Sequence, residues 1–135
     1  MPEAHSRSET ERTPSYDGRR FRLTLTGGVP TSQHVVLECR QSGDIVIGTY
    51  TGQNLEHGAL IAVVRAMGCL EGRFQHVTGN LRIETGRCWA TPQHTSGGQV
   101  RLYVEWQMSG REGVSVMEET CRRWTREGGT AGGGR

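Results

Sequence analysis

No stretch of this sequence approaches the ~18 consecutive apolar residues of a helical membrane span, so no membrane partner is expected. Charge of one sign is also missing. Against 16 basic residues stand 14 acidic ones, and the net charge of +2 leaves no electrostatic footprint for nucleic acid. The basic clusters, Arg19, Arg20 and Arg22 at one end and Arg122, Arg123 and Arg126 at the other, have no interleaved aromatic row on which bases stack. Cysteine is sparse: Cys39, Cys69, Cys88 and Cys121 contain no C-x-x-C pair, which removes the spacing of a zinc site. His34, His57 and His94 make no metal constellation with a regularly spaced carboxylate, so no metal and no cofactor is expected. The first twenty residues hold no apolar stretch of the length of a secretory leader. A cytoplasmic location with reduced thiols is the corresponding expectation.

What the chain has in excess is glycine, 20 residues in 135, about twice the usual share of ~7%. One block, Gly128 to Gly134, closes the sequence; the remainder punctuate short apolar runs. Residues 1–15 offer almost nothing to bury and read as a disordered tail. Residues 127–135 read as a flexible Gly-rich tail. One folded domain is expected over 16–126.

Within it, apolar residues recur at every second position, the period of a strand with one buried face. Eight runs follow: 20–25, 34–39, 44–51, 58–65, 69–77, 81–90, 100–108 and 114–124. The clearest places Leu102, Val104, Trp106 and Met108 on one face and Arg101, Tyr103, Glu105 and Gln107 on the other. Pro92 is expected to stop the sixth run. The fourth contains Leu60-Ile61-Ala62-Val63-Val64, which suits a short helix or a strand buried on both faces, against a second subunit. Eight short runs joined by Gly-containing turns predict an all-β fold, an eight-stranded antiparallel up-and-down barrel. Such a barrel is just wide enough to be filled by side chains or to hold one small ligand.

Residues 44–119 resemble a family of small bacterial proteins with an avidin-like, calycin-type barrel, often labelled N-acetylglutamate synthases. The resemblance rests on Asp44-Ile45-Val46-Ile47-Gly48-Thr49-Tyr50, Gly58-Ala59-Leu60-Ile61-Ala62, Arg73-Phe74-Gln75-His76-Val77, Thr85-Gly86-Arg87-Cys88, Thr91-Pro92, Glu105-Trp106-Gln107 and Glu118-Glu119. It implies a fold more than a chemistry. Acetyl transfer from a coenzyme normally uses a phosphate-cradling loop that opens a helix, and the sequence contains neither.

If Leu70, Phe74, Trp106 and Val116 face inward, alternation puts His76 and Glu118 on the same interior surface, as a pair able to move a proton. A satisfied structural pair is the plainer reading. Tyr50 shares a face with Val46 and Gly48, where the small neighbour leaves room for a ligand or for a large side chain from across the barrel. Trp106 is the best placed tryptophan for a pocket, although Trp on a barrel strand also serves as core. Arg73, Gln75 and Glu105 lie in the outward phase of their strands; a bulge at Gly72 or Gly86 would turn them inward, where they would bind ligand. Arg73 and Glu105 also suit an ion pair. Three functions fit this reading. One is binding of a small molecule between Trp106, Tyr50 and His76. Another is a cofactor-independent isomerase, cyclase or dehydratase using His76 and Glu118. The third is a structural homodimer joined through Ile61 and Val63.

Overall fold

The computed structural model describes residues 15–31 and 34–120, and every element in it but one short turn is a strand. The strands are β1 (Arg20–Thr26), β2 (Val29–Pro30), β3 (Val36–Ser42), β4 (Ile45–Gly52), β5 (Leu55–Val64), β6 (Leu70–Thr78), β7 (Ile83–His94), β8 (Val100–Met108) and β9 (Arg111–Glu119). From β3 onward each strand pairs antiparallel with the next, and β9 returns to pair with β1. The wall is therefore a closed eight-stranded barrel, with the two-residue β2 hanging from β1 outside the circuit. Closure leaves no long strand edge in water. The expected tails, Ser15 apart, lie outside the described residues, as do Cys121 and Trp124.

Turn chemistry fixes the registers. Between β8 and β9 the loop is Ser109-Gly110, both with positive φ (49° and 76°), the two-residue geometry whose twist matches the flanking strands. In the two-residue β4–β5 loop, Gln53-Asn54, Asn54 alone takes a positive φ (68°). The wall bends where β1 carries one extra residue: Leu23 faces Met117 and Leu25 faces Val116, leaving Thr24 as a bulge.

Two local expectations change. Residues 55–64 form a strand and no helix, because β-branched residues in alternation fit a pleat flanked on both sides by ladders. Leu60, Ala62 and Val64 turn in while Ile61 faces water, so this strand is buried on one face within a single chain. Pro92 does not end β7, which runs on to His94. Pairing with β6 stops at Ala90, so from there β7 has a neighbour only in β8, and the missing N–H of Pro92 costs no ladder bond.

One end of the barrel is sealed. Phe21, Cys39, Val46, Leu70, Val100 and Leu102 pack there with Tyr16, whose hydroxyl donates to the carbonyl of Gly68 at 2.5 Å. Arg19 and Glu119 form a nearly buried ion pair (2.6 Å), and Glu119 also accepts the Val100 N–H at 3.0 Å. Desolvation raises the Tyr16 phenol above its ordinary range and pushes the Cys39 thiol up to about 12.

Candidate functional site

The opposite end is open. A cavity of about 250 Å³ descends from it, walled mainly by Leu37, Leu60, Phe74, Trp106, Met108 and Met117. Its openness has a backbone cause. Tyr50 pairs across strands with Gly58, Phe74 with Gly86, and Trp106 with Gly113. In each pair the ring occupies the place of the absent side chain: a Cβ at Gly58 would lie 2.2 Å from Tyr50, at Gly86 2.5 Å from Phe74, and at Gly113 2.6 Å from Trp106. Three large rings are thus held against the wall, and the lumen keeps its space.

One row of the wall is polar. Tyr50, Gly58, His76 and Glu84 are successive cross-strand partners on β4, β5, β6 and β7. Because Gly58 has no side chain, Tyr50 reaches over it, and its hydroxyl lies 2.8 Å from Nδ1 of His76. His76 Nε2 is 3.0 Å from Glu84 Oε1, and Phe74 stacks on the imidazole at 6.2 Å between centroids. The side chain of His76 is only 10% exposed. Outside Glu84 stands Arg111, 3.8 Å from its second oxygen. An ionised carboxylate only accepts, so Glu84 fixes the proton of a neutral His76 on Nε2 and leaves the lone pair of Nδ1 for the Tyr50 hydroxyl. Burial, with a smaller contribution from Cys88, raises the Tyr50 phenol above its ordinary range.

Across the lumen, Ser115 accepts the indole N–H of Trp106 at 3.0 Å and lies 3.4 Å from the hydroxyl of Thr26. Cys88 faces the cavity, and burial pushes its thiol up to about 11 against a backbone hydrogen bond from Gly72 that lowers it. A protonated thiol is a poor nucleophile.

His76, Tyr50 and Trp106 therefore meet at one cavity, as expected. Glu118 does not join them. It points outward, half exposed, with Arg101 at 3.4 Å, and its cross-strand partners are Arg22 and Arg101. The inward residues of β9 are Gly113, Ser115, Met117 and Glu119: Gly113 lies under Trp106, Ser115 and Met117 line the cavity, and Glu119 holds Arg19. Val114 and Val116, which set the expected phase, point away from the cavity: Val114 is exposed, and Val116 is buried on the outer side of the wall between Leu25 and Tyr103. The carboxylate beside His76 is Glu84, in phase with Gly86, Cys88 and Ala90; stepping back by twos from those residues was the signal available.

Arg73, Gln75 and Glu105 also stay outside, exposed, because the β6–β7 and β7–β8 ladders run through Gly72 and Gly86 without a bulge. Arg73 and Glu105 are separated by β7, with Arg87 beside the first and Trp89 beside the second, and do not form the expected pair. Among the described residues no group of three or more His, Cys, Asp or Glu is arranged to hold a metal ion. No helix among them is long and apolar enough to cross a membrane.

Residues 14–120 match the model of a family described as avidin-like protein. No curated protein and no solved structure matches the chain.

Proposed function

Since the chain belongs to the avidin-like protein family, we propose that its open barrel end binds a small, largely apolar molecule. The observation that carries this reading is a cavity of about 250 Å³, walled by aromatic and aliphatic side chains and touched by Tyr50 and His76, the inner members of a polar row that Glu84 extends. A preformed apolar hollow with a few converging polar groups is the usual form of a ligand site. The glycines under Tyr50, Phe74 and Trp106 support it further, since each keeps a ring out of space that a filled core would use. A thermal-shift screen of small aromatic and aliphatic compounds tests it, with Cys88→Trp as a variant whose cavity is plugged. Stabilisation of the native chain and none of the folded plugged variant is expected; equal stabilisation of both would contradict it.

A second reading, a cofactor-independent isomerase, cyclase or dehydratase, draws support from the His76–Glu84 contact. Folding one reactive conformer against the aromatic walls removes entropy from a barrier that a single proton-transfer group then crosses. Glu84 takes the part first given to Glu118. On compounds found in the screen, His76→Gln should abolish turnover while binding persists, and Glu118→Gln should leave turnover unchanged.

The outer face supports a homodimer. Ile45, Ile47 and Ile61, exposed by 48, 46 and 54%, form one apolar block with Val63 across β4 and β5. Beside it, Glu71 and Glu105 flank Trp89 in one row of the sheet, and Arg73 and Arg87 are neighbours in the next. A two-fold axis between these rows sets acid against base and isoleucine against isoleucine in both copies at once. Sedimentation should find a dimer that Ile61→Glu turns into a monomer; a monomeric native chain would overturn this arrangement. The free thiols of Cys39, Cys69 and Cys88 support a cytoplasmic location.

A further inference from the structure

We infer, on the footing of that ligand-binding reading, that the cavity selects molecules bearing a hydroxyl on a flat apolar ring, because its polar row offers them an acceptor and no donor. The inference turns on where each proton of the row is already committed. Glu84 carries only acceptor atoms, so the proton of a neutral His76 sits on Nε2 and is used at 3.0 Å. Nδ1 then has only a lone pair to offer, and the Tyr50 hydroxyl at 2.8 Å is its donor. The other polar atom near that hydroxyl is the carbonyl oxygen of Gln75, at 3.5 Å, which is also an acceptor. Whichever of the two it serves, the Tyr50 proton is directed to protein.

The phenolic oxygen keeps its lone pairs, and Tyr50 is one of the residues that line the cavity. The third strong donor of the wall, the indole N–H of Trp106, is used by Ser115. One rotatable hydroxyl proton remains in the Ser115–Thr26 pair, on the β1–β9 wall across the lumen from Tyr50. A ligand donor is therefore satisfied at Tyr50, while a carbonyl placed there meets the lone pairs of another oxygen. Tyr50 is the group that touches the ligand. His76 and Glu84 are positioning residues that turn its hydroxyl. Flatness of the ligand follows from the rings of Tyr50, Phe74 and Trp106, each laid along the wall over a glycine.

The test is calorimetric titration of the full chain at pH 8 with naphthol, fluoronaphthalene and naphthaldehyde, all substituted at the same ring position. These share one apolar body and offer in turn a donor, nothing strong, and an acceptor. Naphthol should bind about tenfold more tightly than the other two, the scale of one hydrogen bond to a desolvated partner. Tyr50→Phe should erase this preference and leave the fluoronaphthalene affinity unchanged, which also shows that the variant is folded. Glu84→Gln should reduce the preference, because an amide serves either proton arrangement of the imidazole, whereas loss of a merely structural contact would weaken all three compounds alike. Equal binding of the three, or tighter binding of naphthaldehyde, overturns the donor selectivity and leaves the binding cavity standing. If none of the three binds, the cavity reading itself falls and the selectivity with it.

Discussion

The hydroxyl of Tyr50 meets Nδ1 of His76 at 2.8 Å by passing over Gly58, the residue between them in the same row of the sheet. Gly58 is needed there for its missing side chain: a Cβ would lie 2.2 Å from the Tyr50 ring. Gly58→Ala should therefore displace the ring, break the contact with His76, and lower stability by about 1–3 kcal/mol, the usual scale of overpacking. Urea unfolding measures the loss of stability, and ligand titration the loss of the ordered site. An alanine variant with native stability and native affinity would show that the ring has another resting place.

Adjacent carboxylates of β9 should behave differently. Glu119, 4% exposed, accepts from Arg19 and from the backbone of Val100, so Glu119→Ala strands a charge and an N–H and should cost about 3–5 kcal/mol. Glu118 faces water with Arg101, and its loss should cost about 0–1 kcal/mol after solvent screening. Equilibrium unfolding of the two variants tests the strand phase directly, and a larger loss at Glu118 would reverse it.

Stability should fall in alkali. Burial pushes the folded thiols of Cys39 and Cys88 up to about 12 and about 11 from an ordinary value of 9.0. Above pH 9 the unfolded chain releases protons that the folded chain retains, so unfolding gains; below it the contribution is fully present. The melting temperature should decline from pH 9 to 11, and less steeply in a Cys88→Ser variant. Tyr16 and Tyr50, also raised by burial, act in the same direction. A melting temperature that is flat over this range would contradict the burial of these groups.

The period of two in the sequence carried the fold, since alternation in β8 and turn residues between the runs are local signals, and the barrel they imply is the one formed. It also carried His76, Tyr50 and Trp106 to the inside. It failed at β9, where the interior holds Gly113, Ser115 and Glu119 while Val114 and the buried Val116 point away from the cavity. Each inversion depends on a partner elsewhere: the indole of Trp106 covers Gly113 and bonds Ser115, and Arg19 neutralises Glu119. Glu84 was missed for a related reason, because a carboxylate on an inward phase makes sense only once His76 is known to stand opposite. Pro92 was misjudged because its effect on a strand depends on whether a ladder neighbour needs its N–H, which topology decides.

The most direct measurement of the central claim is a nitrogen–proton correlation spectrum of the indole groups during titration with naphthol. Trp106 lines the cavity and Trp89 stands on the outer wall, partly exposed. The Trp106 indole signal should move in proportion to occupancy while that of Trp89 stays in place. Movement of Trp89 with Trp106 unchanged would put the ligand on the outside of the barrel and contradict the account.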